Sequence, residues 1–272
     1  MKTQPILRRF ATYLLILSFD LKMRDSREED DIFSSLEGKD KDPMDKETVK
    51  SRIIGIGIIP AIRVSSAADA LYAAQTICDA GIPIVELTMT VPGAIDVIEE
   101  LVRGHPSVVV GAGTVCDVET ARRCLDAGVG FLTSTGLDRD IVDLAIQEKV
   151  VVFPGVLTPT EIMAASKAGC DFVKVFPCAQ MGGPQYLRIL RGPFPNVPMI
   201  AAGGVTQHTA GEFILAGASA IGVGEDLIPH RAIHMRETSW IRELARRFTG
   251  IVKNARAQLA STFAEGAAPA QR

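Results

Sequence analysis

From Ser51 onward the chain repeats one unit: a short, nearly continuous apolar segment, then a stretch with helical spacing. The apolar segments fall at 53–64, 84–89, 108–115, 131–134, 151–157, 172–176, 198–202 and 220–223. The stretches that follow them, at 66–80, 92–103, 117–127, 138–149, 160–168, 184–190, 209–216 and 239–259, carry apolar residues three and four apart, as at Ile95, Ile98 and Leu101. Strands that are apolar on both faces must be covered on both sides, which is the property of a parallel sheet wrapped by helices. Eight such units in about 200 residues fit a compact (β/α)8 TIM barrel with short loops. A doubly wound sheet is the alternative. No Gly-x-Gly-x-x-Gly follows the first strand, however, and Gly111-Ala112-Gly113-Thr114 lacks the third glycine.

In a barrel the residues that do chemistry sit at the C-terminal ends of the strands. Read with that rule, strand one ends at Arg63, strand two carries Glu86, Thr88 and Thr90, strand three ends at Thr114, and strand four runs into Ser134 and Thr135. Strand six, Phe172 to Phe176, holds Lys174 in an otherwise apolar run. Desolvation favours the neutral form of a lysine amine, and a neutral amine attacks carbonyls to form Schiff bases. The competing reading is a lysine that snorkels from a strand end or pairs across the sheet. Glu86, an acid inside an apolar strand, is a candidate proton shuttle; its competing reading is a salt bridge to Lys174 or Arg63.

A net charge of −3 leaves no strong field to draw nucleic acid or anionic lipid. Five cysteines without Cys-x-x-Cys spacing point to reduced thiols in the cytoplasm and against a zinc ribbon. Cys116 and Cys178 follow strands three and six, and packing is the expected role of both. His230 and His234 stand four apart without the glutamate of a zincin motif and read as surface residues near a turn. The first fifty residues differ from the rest. Arg8 and Arg9 precede an apolar run from Phe10 to Phe19, but Asp20 and Lys22 end it, no small-residue cleavage site follows, and it is too short to cross a bilayer. The mixed charges from Arg24 to Lys50 bury too little apolar surface to offset ordering entropy. Residues 1–50 therefore read as a poorly ordered or wrongly assigned extension, with Met44 a natural start. Residues 51–260 read as the barrel, and residues 261–272 as a disordered tail.

Several stretches together resemble the class I 2-keto-3-deoxy-6-phosphogluconate (KDPG) aldolases, which often also cleave 4-hydroxy-2-oxoglutarate (KHG). They are Ile59-Pro60-Ala61-Ile62-Arg63, Val85-Glu86-Leu87-Thr88, Gly111-Ala112-Gly113-Thr114-Val115, Pro154-Gly155, Lys174-Val175-Phe176-Pro177, Gly192-Pro193-Phe194 and Gly203-Gly204-Val205. The resemblance covers about Ile58 to Arg256 and implies a homotrimeric barrel that needs no metal or cofactor. It implies Lys174 as the Schiff-base lysine, Glu86 as the proton shuttle, and Thr114 with an arginine as the holder of a 2-keto acid's carboxylate.

The chain departs from the family pattern at three places. Thr90 stands where many members have an arginine, and Arg63 is the residue expected to supply that charge. Ala202 replaces a threonine before the glycine pair, and Glu225 replaces a serine after the last strand. Gly203, Gly204 and Gly224 still offer backbone N–H groups to a phosphate, which Glu225 would repel unless it turns away. Both a phosphorylated and an unphosphorylated substrate therefore stay open. A phosphate-binding barrel isomerase and a catalytically silent binding protein are the remaining alternatives; neither requires a lysine on strand six opposite a glutamate on strand two.

Overall fold

The computed structural model describes residues 44–266, with side chains up to residue 262. Nine parallel strands form one sheet in the order β5-β4-β3-β2-β1-β9-β8-β7-β6. The strands are β1 (Ile58–Ile62), β2 (Ile84–Thr88), β3 (Val109–Gly113), β4 (Phe131–Thr133), β5 (Val151–Phe153), β6 (Gly155–Val156), β7 (Val173–Val175), β8 (Met199–Ala202) and β9 (Ala220–Val223). The two edges of this sheet, β5 and β6, are separated in the chain by Pro154 alone. Proline has no N–H to give a ladder, so the expected fifth strand (151–157) breaks there. Its first half pairs with β4 and its second with β7. The ring closes across the break, because Asp171 N–H donates to Val152 O at 3.1 Å and Lys174 N–H to Pro154 O at 2.9 Å. The result is the expected (β/α)8 barrel.

The helices are α1 (Lys46–Ile56), α2 (Ala67–Asp79), α3 (Ala94–Gly104), α4 (Val118–Asp126), α5 (Arg139–Gln147), α6 (Pro159–Ala168), α7 (Gly183–Arg191), α8 (Ala210–Leu215), α9 (His230–His234) and α10 (Thr238–Gly266). Their starts follow from the sequence. Ser66, Asp117 and Asp138 each accept a backbone N–H of the first turn, and Thr158 forms a capping box with Glu161. His230 and His234 are exposed, as expected, on the short α9 with turns just before and after it.

The N-terminal end of the barrel differs from expectation. The run from Ile53 was expected to be strand, yet residues 46–56 are helix, capped by Asp45 and stopped by Gly57 in the left-handed conformation at φ 72°. The β-branched run favours a strand locally, but Val49 and Ile53, four residues apart, bury one face against the barrel at 1% and 0% exposure. Asp171 anchors this helix. Its nearly buried carboxylate accepts Val152 N–H at 3.1 Å and lies 2.9 Å from Lys46 Nζ and 3.6 Å from Lys50 Nζ. The first half of α1 thus lies inside the stretch assigned to the extension, and α10 continues past residue 260. Residues 1–43 and 267–272 lie outside the described residues.

Within the ring, Phe131 stacks on Phe153 at 5.1 Å between centroids, and Phe172 meets Phe153 edge-on at 6.1 Å. Gly111 makes room for this layer, since a Cβ there would collide with the Phe131 ring. The layer is a floor beneath the C-terminal mouth, one step below Lys174 on its own strand.

Candidate active site

Lys174 lies at the centre of β7 and Glu86 at the centre of β2. Both are buried, at 7% and 3% exposure. Alternation along the strands turns both inward, and Lys174 Nζ comes within 3.6 Å of Glu86 Oε1. Each charge offsets the burial of the other, so the pair tolerates a site that a lone ion would not. The Lys174 ammonium also lies 5.6 Å from the centroid of the Phe176 ring. Glu86 needs space as well as a partner. Gly113, on the neighbouring strand, leaves the volume its carboxylate fills.

The next residue after Gly113 is Thr114, with φ at +57°. A β-branched side chain in the left-handed region is strained by about 1–3 kcal/mol. Arg63, at the end of β1, donates from Nη2 to Thr114 Oγ1 at 3.2 Å. Arg63 with Thr114 and Lys174 with Glu86 are thus two contacting pairs, linked by Gly113, which precedes Thr114 in the chain and packs on Glu86. Beside them Thr88 Oγ1 donates to Ile62 O at 3.0 Å and meets Thr90 Oγ1 at 2.8 Å. Thr90 is thus a link in the strand-end network.

Gly203 and Gly204 turn at φ 86° and 77° after β8. They pack so closely on Pro177 and Ala179, in the loop after β7, that a Cβ on either would lie within 2.8 Å of these neighbours. Gly224 follows β9, with Ala61 O 3.8 Å from where its Cβ would be. The structure also brings in residues the sequence did not single out: Asp226, whose carboxylate accepts Gln207 N–H at 2.8 Å, and Gln180, whose carboxamide lies against Gly204. Both belong to loops whose mutual approach has no periodic signal. Of the two cysteines near the mouth, Cys178 is buried as expected, with its thiol pushed up to about 12 by desolvation. Cys116 is exposed instead of packed, with Sγ 3.4 Å from Thr114 O.

A family model described as KDPG and KHG aldolase matches residues 49–244. The chain belongs to the KDPG and KHG aldolase family. It is accordingly a carbon–carbon lyase. The 2-dehydro-3-deoxy-phosphogluconate aldolase of Pseudomonas aeruginosa is 28% identical to it over 189 residues, spanning 70% of this chain and 86% of that protein. The KHG/KDPG aldolase of Escherichia coli K12 is 28% identical over 190 residues, 70% of this chain and 89% of that one. Among solved structures, the KDPG aldolase from Legionella pneumophila, with pyruvate captured as a covalent carbinolamine, aligns with a TM-score of 0.68 at 29% identity, covering 72% of this chain and 96% of that one. A 3-hexulose-6-phosphate synthase, 19% identical with a TM-score of 0.57, shares the fold alone. No helix among the described residues of this aldolase is long and apolar enough to cross a membrane.

Proposed function

We propose that this aldolase cleaves a 4-hydroxy-2-keto acid of the kind its relatives are named for, KDPG or KHG, into pyruvate and an aldehyde through a Schiff base on Lys174. The observation that carries the reading is the buried contact of Lys174 with Glu86 at the mouth of the barrel. The neutral amine of Lys174 attacks the 2-keto carbon, and loss of water leaves a protonated imine. Glu86 takes the proton of the C4 hydroxyl. The C3–C4 bond then breaks, its electron pair moves into the enamine, and the aldehyde leaves. Glu86 returns the proton to C3, and water hydrolyses the imine to release pyruvate. The step is redox-neutral and restores both side chains. Arg63 and Thr114 are assigned to the substrate carboxylate, which a guanidinium grips with two parallel hydrogen bonds. The backbone around Gly203, Gly204 and Gly224 is assigned to the distal end of the substrate.

The assembly is assigned as a homotrimer. Met163, Met181 and Ile189, on or beside α6 and α7, are large apolar side chains 47% to 63% exposed, as residues covered by a neighbouring subunit would be in a free chain. Mass measurement in solution tests this. The five free cysteines support a cytoplasmic location. The chemistry is tested by borohydride reduction in the presence of pyruvate. A covalent adduct on Lys174, absent from Lys174→Met, is the expected result; an unmodified Lys174 would remove the proposal.

A further inference from the structure

Thr88 follows Glu86 by two positions on β2 and, by alternation, shares its inward face one step nearer the mouth. It is buried. Its hydroxyl has a single proton, and that proton goes to Ile62 O at 3.0 Å, because a carbonyl can only accept. The 2.8 Å contact between Thr88 Oγ1 and Thr90 Oγ1 therefore has a fixed sense: Thr90 donates and Thr88 accepts. The two hydroxyls make a directed chain, Thr90 to Thr88 to Ile62, in which each bond polarises the next. Ile62 is the last residue of β1, and the carbonyl that this chain grips belongs to the peptide unit joining Ile62 to Arg63. Arg63 is exposed and has a long side chain with many rotamers, so its aim depends on what holds its two ends. Its tip donates to Thr114 Oγ1 at 3.2 Å; its root is held through Ile62 O. A second contact of the same kind offers a comparison. Thr133, equally buried at the end of β4, donates to Phe153 O at 2.9 Å, where the next residue is Pro154 and no charged side chain follows from the held peptide.

We propose that Thr88 and Thr90 are positioning residues for Arg63, fixing the peptide from which its guanidinium reaches the substrate carboxylate. The inference rests on the assignment of Arg63 to that carboxylate and deepens it. Both threonines act through Arg63, so they govern how well the keto acid is held and leave the bond-breaking step to Lys174 and Glu86.

The test measures kcat and KM for pyruvate release from KDPG and KHG, using the full chain and its Thr88→Val, Thr88→Ser, Thr90→Val and Thr133→Val variants. Thr88→Val keeps the shape of the side chain and removes its proton donor. Its KM should rise about fivefold with kcat within about twofold of native, the mark of lost binding without lost chemistry. Thr88→Ser, which keeps the hydroxyl, should keep the native KM, and Thr90→Val should raise KM about twofold. Thr133→Val loses the same kind of buried bond and should lower Tm as Thr88→Val does, with KM unmoved. In an Arg63→Met background Thr88→Val should raise KM no further. A native KM in Thr88→Val, an equal rise in Thr133→Val, or a rise undiminished in the Arg63→Met background would overturn the inference. If Thr88→Val does not fold, Thr90→Val in the native and Arg63→Met backgrounds decides by the same comparison. Failure of the underlying reading looks different: Arg63→Met alone would show the native KM, and the inference falls with it.

Discussion

The carboxylate of Glu86 fills the space that a side chain at residue 113 would need. A Cβ on Gly113 would collide with Glu86 Oε1, and Glu86 is held from the other side by Lys174 at 3.6 Å. Gly113→Ala should therefore displace the acid from the lysine without removing either group. The expected outcome is a fall in kcat of about a hundredfold, because a misplacement of about 1 Å at a reacting group costs that much. Steady-state kinetics beside a circular dichroism spectrum checks it. A variant with native kcat would show that the carboxylate acts from elsewhere.

Thr114 predicts a trade between stability and binding. Glycine adopts φ +57° without strain, so Thr114→Gly should stabilise the fold by about 1 kcal/mol, or raise Tm by about 2–4 °C. The same change removes the hydroxyl that Arg63 bonds, and KM for the keto acid should rise about tenfold. Calorimetry and kinetics on one preparation read both effects. A lower Tm would mean that the hydroxyl contributes more than the strain costs.

Asp171 predicts a loss confined to stability. Asp171→Asn keeps the shape but removes the charge that Lys46 and Lys50 share, leaving Lys46 without that partner and Lys50 with Glu47 alone. The expected cost is about 2 kcal/mol, read as a denaturant midpoint shift at unchanged m-value. If Lys46→Met with Asp171→Asn costs no less than the two changes separately, the groups are not coupled.

The thiols separate by burial. Desolvation pushes Cys78, Cys124 and Cys178 up to about 12 and Cys170 up to about 11, and Cys116 is exposed. At pH 8 a disulfide reagent should titrate one thiol per native chain, at Cys116, and five after denaturation. In the folded protein these four groups keep their protons above pH 9 while the unfolded chain loses them. Their stabilising contribution is thus complete below about pH 9 and fades as pH rises toward 11 to 12. Rapid labelling of Cys178 in the native state would contradict this ordering.

Much of the barrel was legible because its strands are covered on both faces and so read as apolar runs bounded by caps. The expected helical stretches began at Ser66, Asp117 and Asp138, each of which caps a helix that starts one residue later. Lys174 and Glu86 were legible for a related reason: a charge in an otherwise apolar strand stands out, and alternation turns it to the inside. Residues 46–56 misled because Ile53 and Ile54 favour extended backbone locally, whereas the burial that makes the segment helical comes from strands more than a hundred residues away. Pro154 broke a strand that hydropathy alone drew as continuous. The tie between Asp226 and Gln207 joins two loops by one hydrogen bond, and neither hydropathy nor spacing records such a contact.

Asp171 lies three residues before Lys174, on the approach to the same strand, and α1 is pinned to it. A chain begun at Ser51 would lack Lys46, Val49 and Lys50, uncovering Ile53 and removing both cations from the Asp171 carboxylate that they now hold. The underside of the molecule is thus a mooring for the strand that carries the nucleophile, and a cut within α1 would loosen it.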